Sequence, residues 1–152
     1  MPVEPYKDRM IKKGTLFEKK AVNGELIAVS GLNLKSRGLK LIAPWTRAVL
    51  KNQIHELVLT DEPDAKPGGK VDRVFYIGFF EIKVGGIIMV ADKVRIGGKV
   101  IGFVAGFDET HMPNHINIVI KAVGGINDLL IKSRKLGSKV VVFRDIQSVG
   151  IP

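Results

Sequence analysis

Short runs of β-branched and other apolar residues alternate along the chain with glycine-rich or polar turns, and this pattern predicts a fold built from strands. Several runs, such as IIMV and VVVF, are apolar at every position, which favours strands buried on both faces. We therefore predict one mostly-β domain over residues 1–152, a compact β-barrel or β-clip-like domain. The predicted strands are Glu25–Ser30, Leu39–Ala43, His55–Leu59, Val71–Ile82, Gly86–Val94, Lys99–Phe107, His115–Ala122 and Lys139–Phe143.

Two stretches carry helix signals, so we expect one or two short helices beside the strands. The first is Trp45–Gln53, where Pro44 and Thr46 stand near the start. The second begins after Asn127, a candidate N-cap, and stops at Gly137. The consecutive apolar residues at 129–131 fit a strand equally well.

Glycine and proline mark the connections between the predicted elements. Double glycines at 85–86, 97–98 and 124–125 follow apolar residues, and glycine accepts the positive φ angles that tight turns require. DEPDAKPGGK, residues 61–70, predicts a long surface loop, and residues 1–14 predict a loosely ordered segment. None of the glycine-rich turns has the spacing of a P-loop or a dinucleotide fingerprint.

Composition narrows the class of protein. The chain has 152 residues, of which 45% are hydrophobic and 26% charged, as expected for one globular domain. It has no cysteine, which excludes disulfides, thiolate metal sites and cysteine nucleophiles. The polar start and the lack of an apolar run of about 20 residues predict a cytoplasmic protein without a membrane partner. A glycine-rich sheet with apolar strands also suggests a homo-oligomer.

The chain is basic, with 24 Lys and Arg against 15 Asp and Glu and a formal charge of +9. A basic excess favours polyanions such as nucleic acid or phosphorylated metabolites. The densest cluster contains Lys132, Arg134, Lys135 and Lys139, which could contact a nucleic-acid backbone or simply form a solvated edge. Aromatic residues make up only 7%, and no stacking platform for bases is evident in the sequence.

The segment GFDETHMPNHINIVI, residues 106–120, concentrates the candidate chemistry. It holds His111 and His115, two of the three histidines in the chain, four residues apart. Pro113 makes a helix across the segment improbable, so the pair is not a helical zinc motif. We instead predict a polar turn between two strands, whose ends a turn would bring together.

Three interpretations of this turn remain open. In the first, His111, His115 and Asp108 bind a divalent metal such as Zn, Fe, Mn or Ni, with His55 and Glu56 available to complete the site. In the second, the turn is a metal-free site for a small polar ligand. In the third, its polar groups only stabilise the turn. For the metal-free site, the candidate acid–base groups are His111, His115 and Glu109, and the ligand-binding candidates are Thr110, Asn114 and Asn117. Whether the protein is an enzyme stays open.

The stretch ADKVRIGGKVIGFV followed by THMPNHIN resembles the β-clip (SAF-type) domains of sugar-acid dehydratases. The matching residues are Asp92, Gly98, the segment 100–102, His111 and His115. The resemblance covers less than a third of the chain, and the histidine cluster is spaced differently from that of the family. It implies an all-β clip or barrel with a polar loop pocket and a sugar acid as ligand. As a whole, the chain looks like a member of an uncharacterised prokaryotic domain family.

Overall fold

A computed structural model describes residues 18–127, 131–132 and 134–145, and over these ranges the chain is almost entirely sheet and turn. Alternating or continuous apolar runs form each long strand, as the sequence predicts. The strands are β1 (Val22–Val29), β2 (Asn33–Leu34), β3 (Leu39–Lys40), β4 (Thr46–Val49), β5 (Ile54–Thr60), β6 (Lys70–Val71), β7 (Val74–Val84), β8 (Gly86–Met89), β9 (Lys93–Ile96), β10 (Lys99–Asp108), β11 (Asn117–Ala122) and β12 (Lys139–Phe143).

Seven of these strands close into a β-barrel in the order β1-β12-β9-β10-β11-β5-β7, with β7 pairing back onto β1. Neighbours in the barrel are antiparallel except β11 and β5, which run parallel. β2 extends β7, while β3–β6 and β4–β8 form two small separate sheets. The predicted single β-barrel is thereby confirmed.

The inner face of the barrel holds the main hydrophobic core. Strand alternation turns every second side chain inward, and those side chains are apolar and buried. The β4–β8 pair adds Val49 and Ile88 to the same core. Representative core residues are Leu26, Leu57, Leu59, Phe75, Phe80, Ile96, Ile101, Phe107, Ile118 and Val142.

A second apolar layer covers part of the outer face. Leu39, Leu41 and Val71, from the segments around β3 and β6, pack on outward-facing residues of four barrel strands. Those residues are Val58 on β5, Val74 and Tyr76 on β7, Ala105 on β10 and Val119 on β11. The outer surface of the barrel is therefore buried along β5, β7, β10 and β11, and polar side chains that point outward there lose contact with water.

Glycine permits the closest strand contacts in the barrel. Gly78 has a φ of +149°, and a Cβ at this position would lie 2.0 Å from the carbonyl oxygen of Ala28. The pairing register between β1 and β7 shifts nearby, between Leu26 and Ala28. Such irregularities bend strands and increase their twist, which helps a small sheet to close.

Three predictions of local structure are wrong, the first being the strand Val71–Ile82, which is broken at residues 72–73 between β6 and β7. Trp45–Gln53 is not a helix: it forms β4, paired with β8, followed by a turn in which Asn52 has a φ of 76°. Sheet pairing overrides the helix signal there. The predicted strand Gly86–Val94 is interrupted after Met89 by a turn in which Ala91 has a φ of 77°.

The remaining predicted segments are described only in part. The second predicted helix appears as helical Ile131 and Lys132, while residues 128–130 and 133 lie outside the described residues. The N-terminal segment 1–14 lies outside them too. The double glycine at 97–98 forms the β9–β10 turn, with positive φ at both residues. Residues 61–69 form a loop without strands before β6.

A buried carboxylate joins segments from both ends of the described chain to the β8–β9 turn. Asp92 is 0% exposed and accepts a hydrogen bond from the Met89 amide at 2.8 Å. Lys19, before β1, places its Nζ 2.7 Å from Asp92 Oδ2. Arg144, after β12, donates from Nε to Asp92 Oδ1 at 3.1 Å and from Nη2 to the Val90 carbonyl at 2.7 Å. We call Lys19, Asp92 and Arg144 the terminal clasp.

Candidate functional site

Strand register places a row of side chains across the outer face of the barrel. Asp108 on β10 pairs with Asn117 on β11, which pairs with Glu56 on β5, which pairs with Phe79 on β7. His115 precedes Asn117 by two residues and contacts Phe79 edge-on, with ring centroids 4.9 Å apart. Asp108, Asn117, Glu56 and His115 are all buried. We call these four residues, with His111, the outer-face polar cluster.

The turn between β10 and β11 brings the two histidines together. The rings of His111 and His115 stack with centroids 5.0 Å apart and planes inclined by 20°. The His111 carbonyl accepts a hydrogen bond from the Asn114 amide at 2.9 Å, and the Met112–Pro113 bond in this turn is cis. His111 is exposed and covers the buried His115. The turn therefore has one exposed histidine, His111, directly over the buried His115.

Several predicted site residues hold the turn in place. Asp108 accepts hydrogen bonds from the Thr110 amide at 3.1 Å, the Thr110 hydroxyl at 2.8 Å and the Asn117 side-chain amide at 3.2 Å. Glu109 pairs with Arg47 at 3.1 Å, and Asn114 is exposed. Thr110 therefore serves the turn through Asp108, as the structural interpretation of the sequence expected for such residues.

Both ring nitrogens of His115 and Oδ1 of Asn117 are buried and make no hydrogen bond of full geometry among the described residues, although the side chain of Asn117 is close enough to raise the pKa of His115. The nearest carboxylate oxygen, Oε1 of Glu56, lies 3.5 Å from His115 Nε2. A buried polar group without a partner costs about 1–3 kcal/mol. Burying these atoms therefore lowers the stability of the fold. The same atoms on His115 and Asn117 remain available to hydrogen-bond a ligand.

This cost leads to a stability prediction for His115→Phe. The substitution keeps an aromatic ring against Phe79 and removes both unpartnered nitrogens, so we expect the free energy of unfolding at pH 7 to rise by about 1 kcal/mol. Urea unfolding measures it. The matched control is His55→Phe, which should lower the free energy of unfolding, because both nitrogens of His55 are bonded. A loss of stability in His115→Phe as large as in the control would refute the prediction.

Burial also perturbs the acid–base groups of the cluster. The pKa of Glu56 is raised from 4.5 to about 7, mainly by burial, with Arg37 acting weakly in the opposite direction. The pKa of His115 is lowered, first by burial and then by the charge of His111, and Asn117 and Asp108 offset part of this shift. Near pH 7 Glu56 is therefore about half protonated, beside a His115 imidazole that is mostly unprotonated. Such a pair is suited to exchanging a proton with a bound ligand.

His55 lies next to Glu56 on β5 but has a structural role. Its Nδ1 accepts a hydrogen bond from the Ile116 amide at 3.1 Å, so in the neutral ring Nε2 carries the proton and donates to Gln53 Oε1 at 3.1 Å. The pKa of His55 is lowered to about 4 by burial, with smaller effects of the charges of Arg47 and His115. Neighbours on a strand face opposite ways, so His55 and Glu56 do not share a face.

The geometry of the histidine pair bears on the metal interpretation. The lone pairs of an imidazole lie in the ring plane, so two nearly parallel stacked rings do not aim them at one point. Asp108 already accepts three hydrogen bonds. Within the described part of the chain, no group of three or more His, Cys, Asp or Glu side chains is placed to hold a metal ion. Metal binding by His111, His115 and Asp108 would need these side chains to rearrange.

Three of the four residues in the basic cluster are exposed, and the fourth is partly buried. Lys132, Lys135 and Lys139 are exposed. Arg134 instead packs its guanidinium 5.4 Å from the ring centroid of Phe75. Its contribution there is a cation–π contact with a core residue rather than a free charge.

Sequence reasoning missed two neighbours of the cluster. Phe79 contacts His115 only because β7 and β5 are in register. Arg37, whose charge acts on Glu56, donates from Nε to the Tyr76 hydroxyl at 2.7 Å. No local pattern marks either residue, because both contacts join segments distant in sequence.

Fold and cluster together define a small closed β-barrel with a buried polar group on its outer face. The family of unknown function DUF6917 has a model that matches residues 16–137, and the chain belongs to this family. The prediction of an uncharacterised domain family is thereby confirmed. No curated protein and no solved structure is significantly similar to the chain. Among the described residues, no helix has the length and apolar character needed to cross a membrane.

Proposed function

We propose that this domain binds a small polar ligand at the outer-face polar cluster. The observation that carries the proposal is the set of three buried, unpartnered atoms on His115 and Asn117, beneath the exposed ring of His111. Most buried polar atoms in proteins are hydrogen-bonded, and exceptions are concentrated where a ligand or water completes the set. A ligand that reaches these atoms would recover the free energy that their burial costs.

The free atoms indicate the chemistry of the ligand. Asn117 Oδ1 accepts hydrogen bonds and calls for a donor such as a hydroxyl group, while a neutral His115 offers one donor and one acceptor. The charge of Arg37 acts on Glu56 and favours a negative group on that side of the cluster, whereas Arg47 is already paired with Glu109. A hydroxylated carboxylic acid, such as a sugar acid, combines these features.

Calorimetric titration with D-gluconate tests the proposal. Glucose, which has hydroxyl groups but no charge, and acetate, which has a carboxylate but no hydroxyl group, are the comparison ligands. We expect gluconate to bind more tightly than either and His115→Phe to abolish its binding. Val123→Ala is the matched control, because Val123 is exposed just beyond the far end of β11. Absence of gluconate binding, or binding that His115→Phe leaves intact, would refute a hydroxy-acid site.

A divalent metal at the same cluster is the alternative proposal, supported by the closeness of His111 and His115. Zn, Mn, Ni and Fe are the candidates, because their preferred ligands are nitrogen and oxygen atoms. Elemental analysis of the purified protein beside the His111→Ala/His115→Ala double variant decides this version. Stoichiometric metal in the wild type alone would establish it, and an equal metal content in both proteins would remove it.

A further inference from the structure

A second outer surface of the barrel carries alternating aromatic and basic side chains. In register across four strands, Phe143 on β12 pairs with Lys93 on β9, Lys93 with Phe103 on β10, and Phe103 with Lys121 on β11. Directly paired side chains share one face of a sheet. These four residues therefore form one row, with the two aromatic rings about 10 Å apart, twice the strand spacing.

A second row lies beside the first. Arg95 on β9 pairs with Val141 on β12 and Val100 on β10. Its guanidinium lies 4.5 Å from the ring centroid of Phe143. A guanidinium held flat against an aromatic ring extends the planar surface that the ring offers. We call the two rows the basic aromatic face.

The face is open to solvent in the described structure. The apolar layer around β3 and β6 packs on β5, β7, β10 and β11, and it includes no residue of β9 or β12. Phe103 is 38% exposed, unusual for a phenylalanine in mid-strand. Lys93, Arg95 and Lys121 are partly exposed.

Charge on the face is predominantly positive. Lys93, Arg95 and Lys121 lie on the outward-facing positions of their strands, where Lys121 Nζ donates to the Pro63 carbonyl at 3.5 Å, and Lys139 continues the β12 side. Two acids lie at its margin: Asp145, whose carboxylate is 3.5 Å from Lys93 Nζ, and Glu25, which pairs with Lys139. The arrangement matches a partner that carries regularly spaced negative charges and flat apolar groups between them.

We propose that the basic aromatic face binds single-stranded nucleic acid. Bases would stack on Phe103 and on the Phe143–Arg95 pair, and the lysines would contact phosphates. Aromatic platforms flanked by cations are the means by which small barrels bind single strands without sequence preference. A duplex offers its phosphates but keeps its base faces stacked, so it cannot use the two rings. This face is separate from the outer-face polar cluster, and neither proposal depends on the other.

Fluorescence anisotropy of a labelled mixed-sequence single-stranded oligonucleotide of about 12 residues, a length that one small barrel can cover, tests the proposal. We expect the full-length protein to bind it and Phe103→Ala to weaken binding about tenfold, the loss of one base stack. Lys121→Gln should reduce the slope of log affinity against log salt by about 0.7, one phosphate contact on a single strand. Leu50→Ala is the control: it removes a more exposed apolar side chain, 65% against 38% for Phe103, from the turn after β4, and it should bind like the wild type.

A duplex of the same sequence and inorganic polyphosphate are the competing probes. The proposal is supported if the wild type binds the single strand more tightly than the other two probes and Phe103→Ala loses this preference. Equal affinity for single strand, duplex and polyphosphate, unaffected by Phe103→Ala, would show a general polyanion surface and overturn it. No binding to any of the three probes at low salt would also overturn it. Phe103 is partly exposed, so Phe103→Ala should stay folded, and its far-ultraviolet circular dichroism verifies this.

Discussion

Replacing Asp92 by asparagine is expected to lower the free energy of unfolding by about 3 kcal/mol. Removing one partner of a buried ion pair leaves charges uncompensated, at a cost of about 3–5 kcal/mol. The lower end applies here because the side chains of Lys19 and Arg144 are 11% and 12% exposed, so each can still reach water. Asparagine preserves the shape of the side chain and creates no cavity. The loss in free energy of unfolding therefore reports the removal of the carboxylate charge from the terminal clasp.

Urea unfolding of Asp92→Asn measures this effect, and Asp61→Asn is the matched control. Asp61 pairs with Arg73 at 2.8 Å, and both side chains are about half exposed. An exposed pair of this kind contributes about 1 kcal/mol or less. If the two variants lost equal stability, the terminal clasp would have no special role in holding the segments before β1 and after β12.

Glu56→Gln is expected to change how stability depends on pH. The folded pKa of Glu56 is about 7 against its usual value of 4.5, so between these values the folded protein retains a proton that the unfolded chain releases. This raised pKa lowers the stability of the wild type as pH rises from 4.5 to 7. Glutamine resembles the protonated carboxyl group and does not titrate. The variant should match the wild type near pH 4 and exceed it by up to about 3 kcal/mol above pH 7.

His55 gives the profile of Glu56→Gln a recognisable shape. Its folded pKa of about 4 lies below the usual value of 6.5, so both proteins lose stability as pH falls from 6.5 to 4, and the lowered pKa of His115 acts in the same direction. In the wild type the slope due to Glu56 opposes that of the two histidines between pH 4.5 and 6.5, whereas the variant keeps only the slope of the histidines. Urea unfolding from pH 4 to 8 checks this, with Glu81→Gln, a partly exposed carboxylate on β7, as control. A constant difference between Glu56→Gln and the wild type would contradict the raised pKa.

Much of the fold follows from the sequence because strand periodicity is a local property. The apolar runs marked the long barrel strands, and the double glycine at 97–98 marked a real turn. The segment Trp45–Gln53 was misread because its sequence, with Pro44 and Thr46 at the start, also suits a helix. Only its pairing with β8, some 40 residues away, makes it a strand. The order of strands and the closure by β1 and β7 depend on such distant pairings too.

The sequence predicts where the candidate site lies, but which side chains meet there depends on the register of the strand pairing. His111 and His115 lie in one turn, so their closeness could be anticipated. The position of Glu56 beside Asn117 requires the parallel pairing of β11 with β5. The packing of His115 against Phe79 joins segments distant in sequence, and no local pattern reveals it.

The basic aromatic face shows the same limit more strongly. Phe103 and Phe143 are 40 residues apart in the chain, and the sequence shows no aromatic cluster around either. They become neighbours in one row because β9 lies between β10 and β12. A low content of aromatic residues therefore did not exclude a stacking platform, since two rings in register are enough to form one.

The central claim is that the outer-face polar cluster is a ligand site, and a localised titration tests it most directly. The Asn117 side-chain amide and the His115 ring can be followed by nuclear magnetic resonance at pH 7 while D-gluconate is added. We predict saturable shifts at these two groups and at His111, with no change at the bonded ring of His55, and no such shifts in His115→Phe. Signals of Asn117 and His115 that stay fixed throughout the titration would contradict the claim.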